Sequence, residues 1–261
     1  MSVPLPPAIG LFGFGAFARL VAKALAPYLP LVVHDPSGPA RSAARQMGLP
    51  TASLEEAARC DILILAVPLS ALGTCLAELS GHLRPGQIVI DVCSVKQEPA
   101  RLMQALLPPG VDLLATHPMF GPQSAGDDVA GHRIVLCPLR GRQWRRVAAF
   151  LRRKLGLEII VTSPEEHDRQ AAMSQGLTHM LARAFESFGA VPTIRTPSFD
   201  LLMRALSMVR GDSPEVYDAI IGGNPHVGPM RDRLVDALRT GQPSDGPGTT
   251  PSPRMPLPVQ A

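Results

Sequence analysis

Apolar positions along this chain fall into short unbroken runs, not alternating ones: AIGLF (8–12), PLVVH (30–34), DILILAV (61–67), QIVIDV (87–92) and DLLAT (112–116). Stretches of helical periodicity separate them. A strand needs consecutive apolar residues when both its faces are covered, so this alternation predicts βαβ units around a parallel sheet. Two further strands are expected at RIVLCP (133–138) and EIIVT (158–162), with the helix RQWRRVAAFLRRKLG between them. On that helix Trp144, Val147, Ala148, Leu151 and Leu155 share one side, and Arg142, Arg145, Arg146, Arg152 and Arg153 share the other. Such clean segregation reads as a solvated outer face and not as a nucleic-acid patch.

The pattern changes at Ser163. A Ser cap, a Pro in the first turn and two acids open a helical run that continues to Gly189. Further helices are expected near 197–209, 213–222 and 226–240, which makes 163–240 an all-helical second domain after a dinucleotide-binding domain at 1–162. Residues 241–261, rich in Pro, Gly, Ser and Thr, lack the apolar content for a core and read as a disordered tail.

Composition narrows the classes. With 46% apolar residues in 261, the chain can bury one large core and a smaller second one. A net charge of +3 argues for neither nucleic acid nor an anionic membrane as partner. Cys60, Cys75, Cys93 and Cys137 form no CxxC pair, so they read as reduced core residues, and no metal-ligand spacing occurs. With no leader-like start and no run of 18 apolar residues, a cytoplasmic location is the expectation.

Chemistry enters with IGLFGFGAFARL. Gly13, Gly15 and Ala18 give GxGxxA directly after the first strand and at the opening of the first helix. Small residues there permit a tight turn and let a pyrophosphate approach the backbone at the helix N-terminus. Asp35 ends the second strand, where a carboxylate accepts from ribose hydroxyls and repels a 2′-phosphate, favouring NAD over NADP. Two features hold the alternatives open: Asp35 precedes Pro36 and can simply start a turn, and Arg41 and Arg45 lie within reach of a 2′-phosphate. The whole pattern describes a doubly wound, Rossmann-type α/β domain.

Ligands of open α/β sheets bind outside the carboxyl ends of the strands. That rule singles out Pro68 in VPLS, Ser94 and Lys96 in DVCSVK, and His117 in THPMFG. Together GFGAFA, DVCSVK, HPMFGPQS, EEHD and SQGLTHMLAR resemble the prephenate and arogenate dehydrogenases of tyrosine biosynthesis, in wording closest to the plant-type arogenate branch. The resemblance spans about residues 8–240. It implies oxidative decarboxylation of a cyclohexadienol with hydride transfer to NAD, the alternative substrate being prephenate, which gives 4-hydroxyphenylpyruvate. It also implies a homodimer formed through the helical domain.

Under that resemblance His117 is the catalytic base, and Ser94 hydrogen-bonds the reacting hydroxyl or His117. Lys96 either places substrate or cofactor, or caps its turn. Gln175, His179 and Arg183, at i, i+4 and i+8, drift by only about 80° around a helix and form one stripe. It is a candidate wall of the substrate cleft, with His179 matching the family's substrate-binding histidine. Asp212 occupies the position of an acid that accompanies arogenate preference, and it is also a fitting N-cap for a helix beginning SPE.

Two other readings compete. A β-hydroxyacid dehydrogenase would carry a catalytic lysine in the first long helix of the second domain, and none occurs between Ser163 and Gly189. A non-catalytic NAD-binding module would have no use for Ser94, His117 and His179 together.

Overall fold

The computed structural model describes residues 7–126 and 128–241. Its strands are β1 (Ile9–Phe12), β2 (Leu31–His34), β3 (Ile62–Leu65), β4 (Ile88–Asp91), β5 (Asp112–Pro118), β6 (Arg133–Arg140) and β7 (Glu158–Val161). They form one sheet in the order β2-β1-β3-β4-β5-β6-β7. The pairings are parallel except for β5 with β6, which is antiparallel. A parallel return needs a crossover that spans the sheet. Between β5 and β6 the described residues form only the four-residue α6 (Pro122–Ala125), and the chain doubles back instead.

Helices α1 (Ala16–Leu25), α2 (Gly38–Gln46) and α7 (Trp144–Leu155) cover one face; α3 (Leu54–Ala57), α4 (Leu69–Ser80) and α5 (Gln97–Leu106) cover the other. Ile9, Leu11, Ile64 and Ile90 point into the first core, against Ala18, Ala22 and Ala148. Phe12, Leu63, Leu65 and Val89 point into the second, against the Leu72, Leu76 and Leu79 stripe of α4. Each of those fully buried leucines contributes roughly 1.5–3 kcal/mol of burial free energy. This two-sided burial is why the strands read as unbroken apolar runs, and it makes the fold doubly wound. The arginines of α7 lie on its outer side, while Trp144, Val147, Leu151 and Leu155 pack against the core.

After β7 the elements are helical: α8 (Pro164–Ala171), α9 (Leu177–Glu186), α10 (Pro197–Ser207), α11 (Pro214–Gly222) and α12 (Val227–Thr240). Ser163 caps α8 as expected, its Oγ accepting from Glu166 N at 3.2 Å. The run expected to continue unbroken to Gly189 is instead interrupted by a π turn at Ala172–Gly176 and ends at Glu186. At Gly176 the turn meets α12 so closely that a Cβ would lie 2.8 Å from Val227 Cγ2. The extra residue of the π turn rephases the helix, so α8 and α9 present their polar residues to different neighbours. Beyond Gly241, the tail expected to be disordered lies outside the described residues.

Candidate active site

The order β2-β1-β3 means the chain leaves β1 on one side and returns on the other, opening a crevice outside the carboxyl ends of β1 and β3. Gly13 turns there with φ +87°, and a Cβ on it would lie 2.5 Å from the Ala66 carbonyl oxygen. Gly15 caps α1 in extended conformation, and a Cβ on it would meet nothing within 4 Å. Ala18 is buried where α1 packs on the sheet, and Pro68 is exposed at the mouth as the N-cap of α4. A tight turn, open space before a helix N-terminus and a carboxylate on the neighbouring strand are what a dinucleotide needs, so these residues fit one.

Asp35 satisfies both readings of its position. Its Oδ1 accepts from Ser37 N at 2.7 Å, the turn geometry, while its Oδ2 accepts from Phe14 N in the glycine loop at 2.7 Å. The nearby arginines are engaged: Arg41 Nη1 donates to the carbonyls of Asp35 (2.7 Å) and Pro36 (2.8 Å), and Arg45 Nη1 to Thr51 Oγ1 (3.2 Å).

In the DVCSVK segment Lys96 turns its side chain inward. Its side chain is completely buried, with Nζ paired to Asp91 Oδ2 and donating to the Thr116 carbonyl at 2.5 Å. Asp91, equally buried, also accepts from Thr116 N (3.2 Å) and Cys93 N (2.9 Å). The pair therefore clamps the end of β4 to the end of β5, one residue before His117. The Nζ contacts are internal, and Lys96 itself takes the N-cap position of α5 without a side-chain cap bond. Ser94 sits half-buried on the same segment, and its hydroxyl forms no hydrogen bond with His117 or any other described residue.

His117 is 3% exposed. Burial, foremost, then the neighbouring His167 and Lys96, push its pKa well below the usual histidine value, leaving the imidazole uncharged at neutral pH. Its Nδ1 lies 2.8 Å from His167 Nε2, and His167 Nδ1 lies 2.8 Å from Asp168 Oδ1. Asp168 is fully buried and receives the first amides of α5: Lys96 N at 2.7 Å on Oδ1 and Gln97 N at 2.9 Å on Oδ2. Asn224 Nδ2 donates to the Asp168 carbonyl at 2.8 Å, tying α8 to the α11–α12 corner. Sequence reasoning gave His167, Asp168, Asp91 and Asn224 no roles. For the first two the available signal was the EEHD motif itself.

On α9, His179 is 3% exposed, with Nδ1 2.8 Å from the Gln175 carbonyl and Nε2 3.0 Å from Asp212 Oδ2. Asp212 thus faces His179, and Ser213 takes the N-cap position of α11. Gln175 Oε1 is buried without a hydrogen-bond partner, a polar atom a ligand would satisfy. Arg183 stacks over the ring of Tyr217 at 5.3 Å. No hydrogen bond among the described residues joins the His179–Asp212 pair to the His117 group.

A family model described as the nucleotide-binding domain of prephenate dehydrogenase matches residues 22–161. A probable arogenate/prephenate dehydrogenase of Methanocaldococcus jannaschii is 29% identical over 202 residues, 72% of this chain and 44% of that protein, so the chain spans under half of that relative's length. Arogenate dehydrogenase 2 of Arabidopsis thaliana is 29% identical over 245 residues, covering 89% of this chain and 68% of that protein. Among solved structures, A. aeolicus prephenate dehydrogenase, in complex with hydroxyphenyl propionate and NAD+, superposes with a TM-score of 0.74 at 19% identity, covering 92% and 90% of the two chains. Synechocystis arogenate dehydrogenase gives 0.66 at 20%, covering 90% and 92%. These structures share the fold, and the family model covers more than half the chain from α1 to the end of β7: the protein belongs to the prephenate dehydrogenase family.

Proposed function

We propose that this protein is an NAD-dependent dehydrogenase that converts arogenate to tyrosine by oxidative decarboxylation. The observation that carries this reading is His117, a buried and uncharged imidazole at the carboxyl end of β5, on the same edge of the sheet as the turn of Gly13, Gly15 and Asp35. Bound NAD supplies the hydride acceptor. As hydride leaves the ring carbon, its hydroxyl becomes a carbonyl and sheds a proton, which His117 takes. The half-buried Ser94 hydroxyl, with no hydrogen-bond partner among the described residues, can hydrogen-bond the same oxygen and orient it. Loss of CO2 and aromatisation supply the driving force, so the reaction asks for no further acid.

In this reading residues to Thr162 hold the cofactor, with Ala18 and Pro68 shaping its cradle, and residues 163–240 bind substrate. Gln175 Oε1 and His179 line the cleft, while Arg183, held against Tyr217, borders it. Asp212 uses Oδ2 toward His179 and remains one-third exposed, so it offers negative charge to the ammonium that arogenate has and prephenate lacks. NAD is favoured over NADP because Asp35 stands where a 2′-phosphate would fall and both nearby arginines are occupied. Exposed apolar side chains between the end of α9 and the end of α10, among them Phe188, Ile194, Leu201 and Met208, support a homodimer through the helical part of the chain.

The test is reduction of NAD and of NADP by purified protein, with arogenate and prephenate supplied separately. Turnover with arogenate and NAD supports the whole reading. Turnover with prephenate alone keeps His117 and discards the role of Asp212. Silence with both substrates brings forward a non-catalytic NAD-binding protein. No described helix is long and apolar enough to cross a membrane.

A further inference from the structure

We propose that His167 and Asp168 form a positioning pair that fixes the tautomer of His117, presenting its Nε2 lone pair to the substrate. The proposal rests on His117 being the base, and it follows from counting donors and acceptors along the chain of contacts. Asp168 accepts two backbone amides, Lys96 N and Gln97 N, so its carboxylate is held as an acceptor at the N-terminus of α5. The atom facing it at 2.8 Å, His167 Nδ1, must then carry the proton. A neutral His167 has its lone pair on Nε2, 2.8 Å from His117 Nδ1, so His117 Nδ1 is the donor of that bond. The lone pair of a neutral His117 is thereby left on Nε2, which has no hydrogen-bond partner among the described residues.

The same geometry serves the step itself. When Nε2 takes the substrate proton, the imidazolium keeps its Nδ1–H on His167, and the Asp168 carboxylate lies one ring further on. All three groups are at most 5% exposed, so water does not compete for these bonds. An imidazole free in water prefers its proton on Nε2. Without His167 the base would therefore sit mostly in the form that points a proton at the substrate. Loss of an orienting carboxylate in triad enzymes costs up to about 10⁴-fold for this reason.

The pair also joins two parts of the fold. His117 belongs to β5, His167 and Asp168 to α8, and the amides that hold Asp168 to α5. The base is thus set by the helical segment that continues into the π turn bearing Gln175.

The experiment is nitrogen NMR on the full chain with labelled histidine at neutral pH, His117 being assigned from His117→Asn. The expected wild-type spectrum shows His117 neutral with its proton on Nδ1; a proton on Nε2 overturns the proposal whether or not the protein turns over. In His167→Ala the tautomer shifts to Nε2–H, and kcat falls at least about 100-fold while the NAD dissociation constant stays within about 2-fold. In His167→Gln the side-chain oxygen can accept where Nε2 did, so part of both losses returns. A merely structural His167 predicts falling melting temperature with an unchanged His117 tautomer, which would also overturn the proposal. If the tautomer is as expected but neither substrate reduces NAD, the dehydrogenase reading fails and the positioning pair stands.

Discussion

The carbonyl oxygen of Ala66 lies 2.5 Å from where a Cβ on Gly13 would sit, so the turn after β1 approaches the residue after β3 too closely to admit a side chain. Gly13 also has φ +87°, which costs an L-residue about 1–2 kcal/mol before any clash. Gly13→Ala is therefore expected to destabilise the fold by more than about 2 kcal/mol in urea unfolding. Gly15 is the contrast, with ordinary φ and nothing within 4 Å of a Cβ. Gly15→Ala should keep its stability within about 1 kcal/mol, the scale of an N-cap change. It should nevertheless bind NAD at least about 10-fold more weakly in a calorimetric titration. Weakened binding in neither variant would remove the cofactor cradle.

Lys96 and Asp91 are both completely buried and neutralise each other. Removing one partner of such a pair leaves an uncompensated charge in the interior, at a cost of about 3–5 kcal/mol. Lys96→Met is expected to lose that much stability, and adding Asp91→Asn should return part of it. A Lys96→Met protein with wild-type unfolding and a raised KM would instead assign Lys96 to substrate binding.

What the sequence could show depended on whether a property was local. Strands buried on both faces are visible as apolar runs, and the GxGxxA turn is visible because its residue sizes follow from one backbone turn. The reversal of β6 was not visible, since an apolar run reads the same in either direction and only the short 119–132 connection decides it. Lys96 carried no mark of its burial: its partners Asp91 and Thr116 come from two different strand ends. His167 and Asp168 were in plain sight in EEHD, but helical periodicity cannot tell which face of α8 meets β5. The π turn, lacking any period of its own, hid behind a continuous helical pattern.

Asp212 separates the two substrates by charge. Its contact with His179 is a single oxygen at 3.0 Å, which Asn can imitate, so Asp212→Asn should fold normally. Hydrogen bonds to charged groups contribute about 1.5–3 kcal/mol, or roughly 10- to 100-fold. The expected result is a fall of that size in kcat/KM with arogenate and a much smaller change with prephenate. Equal losses on both would make Asp212 a support for His179 and leave ammonium recognition to another group.

His117 links activity and stability to pH through one displaced equilibrium. Burial, His167 and Lys96 place its folded pKa well below the 6.5 of the unfolded chain. Between those two values the unfolded state binds more protons, so stability rises with pH through that window and is flat above about 6.5. As pH falls below about 6.5, this contribution is progressively lost. His117→Asn should flatten that part of the stability profile while binding NAD normally and losing about 10²–10⁴-fold in turnover. In the wild-type enzyme the acid limb of kcat should likewise lie below 6.5, because the base stays uncharged until then. An acid limb at or above 6.5 that disappears in His117→Asn would mean the imidazole is solvated in the working enzyme, and with it the closed geometry around β5 and α8 would have to be given up.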